Sequence, residues 1–175
     1  YQFETIHPFL DGNGRIGRML IPLYLLEHGL IDKPILYISD YFEKHRRAYY
    51  DALDNARRSE DGIRKWVSFF LDALAHVATE GAATTKELSD LQRRLVCERI
   101  PALGRRAKNA EQLLDLLFKQ PILDSTMLRD ELQISMQSAQ NLLADFVRLG
   151  ILHETTGYKR NRRFEFREYL DILRR

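Results

Sequence analysis

The sequence predicts a mainly α-helical chain in two parts, a helical bundle followed by a small domain of three short helices and a β-hairpin. Three observations carry that expectation. Apolar residues recur at three- and four-residue spacing through most of residues 14–100, which is the period of one helix face. From residue 110 the helical segments shorten, and after Gly150 the pattern changes to two alternating segments suited to paired strands. Between these regions, Pro101 and the basic stretch 104–108 have the composition of a linker. The expected division is therefore 1–100, a linker over 101–109, and 110–175.

Each element has its own signal. After Gly14, the residues Ile16, Met19, Leu20, Leu23, Leu26 and Leu30 share a face, and Gly29 marks the expected end. Pro22 falls inside this stretch, so it is either one kinked helix or two short pieces. Residues 35–38 form an apolar run too short to type, and Ser39 or Asp40 caps the helix predicted over 41–58. Trp66, Phe69, Phe70, Ala73, Leu74 and Val77 make the apolar stripe of the next helix. A mild break at 81–85 leads to a polar helix over 86–100. Helices follow over 110–119, 125–132 and 135–149, with Gly150 as the stop. Strands over 151–155 and 163–166 flank a turn from Gly157 to Arg162, and a last helical turn holds Tyr169, Leu170, Ile172 and Leu173. Three helices and a basic hairpin are the outline of a winged helix.

The 175 residues are 45% hydrophobic and 30% charged, which excludes disorder, a collagen-like fibre and a disulfide scaffold. Cys97 is the single cysteine, so no internal bridge forms and a reducing cytoplasm is expected. No apolar run approaches the roughly 20 residues of a membrane helix, so no membrane partner is expected. The net charge of +2 averages −1 over residues 1–100 and +3 over residues 101–175. Tyr1 stands where a start methionine is usual, and helical positions begin at once. The expectation is a fragment whose bundle lacks its N-terminal part and whose Tyr1 lies within a helix.

Chemistry concentrates in His7-Pro-Phe-Leu-Asp-Gly-Asn-Gly-Arg-Ile-Gly-Arg18. Gly12 and Gly14 admit backbone conformations closed to other residues and allow close approach to a ligand. The helix that follows offers unpaired N–H groups and a positive dipole end, a natural anion site. Arg15 and Arg18 lie at i and i+3, on one face of the first turn. Cations are unfavourable at that end of a helix, so a strongly anionic ligand such as a polyphosphate explains the pair. Asp11 is placed to hold Mg²⁺, which needs one or two carboxylates beside a nucleotide's own phosphates. His7 can take a proton from a hydroxyl at neutral pH.

Plainer readings compete with these. Asp11 as a simple helix cap is a fair rival to Asp11 as a metal ligand, and a histidine considered alone is more often structural. A hairpin turn at 11–14 conflicts with the helical period downstream. Gly12, Gly14 and Gly17 also fit the dinucleotide-binding glycine pattern, but no strand precedes them and no βαβ unit follows. Phe9 reads as a core anchor for the loop.

The string from His7 to Arg18 resembles the signature of the Fic (filamentation induced by cAMP) family, H-[PX]-F-x-[DE]-G-N-G-R-x-x-R, at every fixed position. The stretches from Tyr41 to Leu53 and from Trp66 to Leu71 also resemble members with a C-terminal winged helix. The resemblance implies transfer of AMP from ATP to a Ser, Thr or Tyr hydroxyl of a protein, or of the enzyme itself, with release of pyrophosphate. It implies His7 as general base, Asp11 as Mg²⁺ ligand, and Gly12, Asn13 and Gly14 as an anion hole with Asn13 on phosphate. Arg15 would reach the β-phosphate and Arg18 the γ-phosphate, while Tyr49, Tyr50 or Asn55 would line the nucleoside pocket. Kinase-type relatives carry lysine before the first arginine, so Gly14 favours nucleotidyl transfer. The resemblance further implies a target-docking flap and, in many members, an inhibitory helix [ST]-x-x-x-E-[GN] whose glutamate pairs with the second arginine, here Arg18. Neither pattern occurs in residues 1–175, so another segment or chain is expected to supply them.

In the second domain, residues 135–149 would be the recognition helix, with Ala139, Leu142, Leu143, Phe146 and Leu149 inward. Gln137, Ser138, Gln140, Asn141 and Arg148 would face outward, and glutamine and asparagine can read adenine edges. Lys159, Arg160, Arg162, Arg163 and Arg167 make the wing basic enough for phosphate contacts. A partner-protein or homodimer contact is the competing use of this module. The alternatives to AMP transfer are a nucleotide-sensing, DNA-binding transcription regulator, or transfer of another nucleotide or phosphate-linked group.

Overall fold

Proline and glycine decide where the first helices stop and start. The computed structural model describes residues 1–32, 37–59, 61–158 and 162–174, and the chain divides into two compact units, Tyr1–Ala83 and Thr84–Arg175. In the first unit, α1 (Gln2–Ile6) ends at His7, because Pro8 disfavours a right-handed helical conformation in the residue before it. The next helix, α2 (Asn13–Glu27), is one continuous helix, and Pro22 lies inside it without dividing it. It closes with Gly29 in the left-handed region, φ 64°.

The helix expected over 41–58 is two helices, α3 (Ile38–Lys44) and α4 (Arg46–Arg58), parted at His45. The His45 ring stacks on Tyr41, centroids 4.1 Å apart, and its Nδ1 lies 2.9 Å from the Tyr41 carbonyl that its own N–H also reaches. That local competition for one acceptor explains the step in the backbone. Most of the run 35–38 lies outside the described residues. Tyr49, Leu53 and Ala56 recur along one face of α4 and pack with Ile38, Phe42, Trp66 and Ala73 as the unit's core. Aromatic stacking organises it, with Tyr49 4.6 Å from Phe42 and 5.7 Å from Trp66.

The break expected at 81–85 is absent, since α5 runs over Gly62–Arg94. Gly81 costs about 1 kcal/mol in a helix, and flanking Ala82 and Ala83 favour the helical state. The hydroxyls of Thr79 and Ser89 donate back to the carbonyls of Ala75 and Thr85 instead of capping a new start.

The second unit takes in the end of α5, a π turn (Leu95–Arg99) and a 3₁₀ segment (Ile100–Arg106). The stretch expected as a linker is thus ordered, with Ile100 and Leu103 in the core beside Leu91 and Leu95. Three helices follow, α6 (Ala107–Lys119), α7 (Ser125–Leu132) and α8 (Met136–Arg148). Asp124 caps α7 by accepting from Thr126 and Met127 N–H, and Ser135 caps α8. The expected strands shorten to β2 (His153–Glu154) and β3 (Arg163–Glu165), and an unforeseen β1 (Ile122–Asp124) joins them. The sheet order is β1-β3-β2, all antiparallel, with Phe164 opposite Leu123 and Glu154. A last helix, α9 (Arg167–Leu173), closes the chain. The architecture is therefore a mainly helical chain with a small antiparallel sheet, as expected.

Candidate active site

The site is built where α1 stops and α2 starts. His7 is exposed and sits in the left-handed region, φ 51° and ψ 58°, with its N–H on the Phe3 carbonyl at 3.0 Å. A non-glycine residue there is uncommon and marks a constrained position. The loop that follows is held by Asn13, whose side chain is 1% exposed. Asn13 Oδ1 accepts from Phe9 N–H at 2.8 Å, and Asn13 Nδ2 donates to the Phe9 carbonyl at 2.5 Å. Phe9 itself is half exposed, so its backbone, more than its ring, anchors the loop.

Gly12 adopts φ 80° and precedes the first helical residue, and its N–H donates to Asp11 Oδ1 at 2.6 Å. The first α2 bond runs from Ile16 N–H to the Gly12 carbonyl at 3.0 Å. The N–H groups of Asn13, Gly14 and Arg15 have no intrahelical acceptor, and no side chain caps them. Both arginines fold back toward this opening: an Arg15 Nη lies 3.5 Å from where Gly12 would carry a Cβ, and an Arg18 Nη lies 3.1 Å from the same point at Gly14. Gly14 thus leaves room for the Arg18 guanidinium, whereas Gly12 is called for by its left-handed φ, since a Cβ there would meet Arg15 only in ordinary contact. Arg15 and Asp11 form an exposed ion pair at 3.8 Å, too solvated to hold much energy.

Arg15 and Arg18 also line a cleft of about 600 Å³ with Met19, Pro22, Leu23, Tyr37, Ile38, Ser39 and Asp40. Tyr37, Ser39 and Asp40 escaped the sequence reading, because their approach to α2 depends on packing across a turn. Tyr49, Tyr50 and Asn55, expected to line a nucleoside pocket, do not line this cleft. Tyr49 is buried and faces a separate cavity of about 400 Å³ lined by Tyr1, Phe3, Glu4, Gly17, Tyr24 and Trp66 among others. Tyr50 is half exposed under the Arg46 guanidinium, 5.7 Å from its ring centroid, and Asn55 is exposed on α4. Burial, followed by the Glu4 carboxylate, pushes the Tyr49 phenol up to about 12 against the opposing pull of Arg18.

Asp11 is exposed, and no group of three histidine, cysteine or acidic side chains is poised for a metal among the described residues. A lone carboxylate beside the uncapped start of a helix is compatible with Mg²⁺ where phosphate oxygens and water would complete its ligands.

In the second unit, Gln137 and Asn141 bond to each other at 3.0 Å on the outer face of α8. Arg148 is drawn to Asp145 at 2.9 Å, and Asp145, buried, also pairs with Arg106. On the hairpin, Arg162 pairs with Glu154 and Arg163 is exposed, while Arg167 at the start of α9 pairs with Glu165. Lys159 and Arg160 lie outside the described residues.

The structure thus places two arginines near the uncapped N-terminus of α2, with a histidine and an aspartate on the loop that precedes it. Residues 1–25, which carry the His7–Arg18 string, match the model of the Fic/DOC family. A probable protein adenylyltransferase of Aquifex aeolicus is 42% identical over 60 residues, covering 34% of this chain and 15% of that protein. The protein adenylyltransferase Fic of Aedes aegypti is 37% identical over 89 residues, 51% of this chain and 16% of that protein. A Fido domain-containing protein of Dictyostelium discoideum is 42% identical over 55 residues, 29% of this chain and 38% of that protein. The chain thus spans a small part of the length of these relatives. Among the described residues, no helix is long and apolar enough to cross a membrane.

Proposed function

We propose that the protein containing this chain transfers AMP from ATP to a Ser, Thr or Tyr hydroxyl of a protein, or of itself, releasing pyrophosphate. The observation that carries the proposal is the opening of α2, where three unpaired N–H groups meet the guanidinium groups of Arg15 and Arg18. The resemblance to proteins named as adenylyltransferases supports the choice of AMP.

In this mechanism the target hydroxyl oxygen attacks the α-phosphorus, the bond to the bridging oxygen of the β-phosphate breaks, and the hydroxyl proton passes to His7. Gly12, Asn13 and Gly14 form the anion hole, whose backbone donors meet charge that grows in the transition state. Arg15 and Arg18 hold the β- and γ-phosphates through forked contacts. Asp11 would hold Mg²⁺, which would supply neutralisation of phosphate charge. Asn13 shapes the loop through its bonds to Phe9, and its contribution to phosphate binding comes through the backbone.

The test is incorporation of label from α-labelled ATP by the intact protein and by His7→Ala. Loss of incorporation with ATP binding retained supports His7 as the base; undiminished incorporation removes it from that role. Competition by other nucleoside triphosphates distinguishes AMP transfer from transfer of another nucleotide.

A second use, DNA binding by the second unit, is favoured by the exposed Gln137, Gln140 and Asn141 on α8 and the exposed Arg163 on the hairpin. It is opposed by the pairing of Arg148, Arg162 and Arg167 with acidic neighbours. A salt-dependent mobility shift lost in Arg163→Ala supports it, and the lack of any shift counts against it.

A further inference from the structure

Glycine inside a helix costs about 1 kcal/mol against alanine, so Gly17, in the second turn of α2, calls for a reason. A Cβ there would run into the Glu4 carboxylate, with Phe3 Cδ1 only 3.1 Å away. Glu4 and Phe3 belong to α1, which terminates at His7. The phosphate-binding opening of α2 lies one turn before Gly17. One close contact between two helices therefore links the residue that would take the proton to the groups that would hold the phosphates.

Glu4 pays no obvious dividend to stability. Its Oε1 is shut off from solvent and has no hydrogen-bond partner, and an unsatisfied buried acceptor costs about 1–3 kcal/mol. Together with Gly17 and Tyr49 it lines the cavity beside α2. A side chain that is costly where it lies, and that fills the notch left by Gly17, has a geometric use.

We propose that Glu4 is a positioning residue: wedged against Gly17, it sets the spacing between the end of α1 that carries His7 and the start of α2 that carries the phosphate nest. This rests on the assignment of His7 as the base. The shape of the side chain, more than its charge, does the spacing. Misplacing a catalytic group by about 1 Å costs on the order of 10²-fold in rate, so a displaced α1 slows transfer while leaving the nest on α2 intact.

The experiment compares the wild-type protein with Gly17→Ala, Glu4→Ala, Glu4→Gln and the double variant Glu4→Ala/Gly17→Ala. Three quantities are read: kcat and KM for ATP in transfer, ATP affinity by calorimetry, and the rate at which diethyl pyrocarbonate modifies His7, followed by mass spectrometry. Gly17→Ala should lower kcat by about 10²-fold, with ATP affinity unchanged to within about twofold. Removing the Glu4 side chain in the double variant should recover about tenfold of that loss. Glu4→Gln, which keeps the shape, should stay near wild type, while Glu4→Ala loses kcat. A double variant no better than Gly17→Ala, or ATP affinity falling in step with kcat, overturns the proposal. Should Gly17→Ala fail to fold, equal activity of Glu4→Ala and Glu4→Gln overturns it. Absence of any transfer by the wild type would reject the proposed function instead. His7 modification still decides the spacing in that case: a rate changed by Gly17→Ala and restored in the double variant supports it, and an unchanged rate overturns it.

Discussion

Asn13 closes a two-bond clasp on Phe9, accepting from its N–H at 2.8 Å and donating to its carbonyl at 2.5 Å. The two residues lie on opposite sides of Asp11 and Gly12, so a buried side chain ties the loop to the start of α2. Asn13→Ala leaves both Phe9 groups without these partners, and each lost buried partner costs about 1–3 kcal/mol. Denaturant unfolding of Asn13→Ala should show a loss of about 2–4 kcal/mol, reduced where water reaches the half-exposed Phe9. Asn13→Asp keeps one acceptor and should fall between the two.

Gly12 and Gly14 should respond differently to alanine. At Gly12, φ 80° imposes a backbone penalty of about 1–2 kcal/mol on alanine. At Gly14 the backbone tolerates alanine, but the new methyl presses on Arg18 at 3.1 Å. Gly14→Ala should therefore keep wild-type stability and lose about tenfold in ATP affinity by calorimetry, the loss of roughly 1.4 kcal/mol. Gly12→Ala should lose stability as well.

Tyr49 gives a pH signature. Its phenol is pushed up to about 12 by burial and the Glu4 carboxylate, from an unfolded value near 10. The folded-state value is raised, so the associated stability is fully present below pH 10 and is lost as the pH rises through 12. The integrated loss is about 2–3 kcal/mol. Tyr49→Phe should lack this component, and its unfolding free energy should decline less between pH 10 and 12 than that of the wild type.

Asp145 is the buried charge of the second unit, paired with Arg106 and Arg148, whose side chains stay half exposed. Asp145→Ala removes the shared acceptor that ties α8 to the 3₁₀ segment. The expected cost is about 1–3 kcal/mol in thermal or denaturant unfolding, with ATP binding unaltered. Loss of ATP affinity in this variant would contradict the assignment of the nucleotide site to α2.

What was legible in the sequence was local. The donors, glycines and arginines of the nest fall within twelve consecutive residues, so helix geometry alone brings them together. The apolar stripe of Trp66, Phe69, Phe70, Ala73 and Leu74 was equally visible as periodicity, and these residues pack in or against the core of the first unit. What escaped depended on contacts distant in the chain or on single side chains. β1 is three residues long and forms against β3, some 40 positions away, too short to announce itself. The step at His45 arises from its ring meeting the Tyr41 carbonyl. The cleft walls Tyr37, Ser39 and Asp40, and the Glu4 contact at Gly17, exist only once the helices pack, although an isolated glycine within a helical pattern is a recognised sign of close approach. Asp145 was hidden because its position on the inward face of α8 ran against its charge.

The central claim is that phosphates seat on the opening of α2 so that the α-phosphorus is the atom attacked. The most direct measurement is a pair of reactions with the intact protein and Mg²⁺, one with ATP labelled at the α-phosphate and one with ATP labelled at the γ-phosphate. Label from the α-phosphate should appear on protein, with pyrophosphate released, and label from the γ-phosphate should stay in solution. Protein labelled from the γ-phosphate would contradict the account and assign phosphoryl transfer to this site.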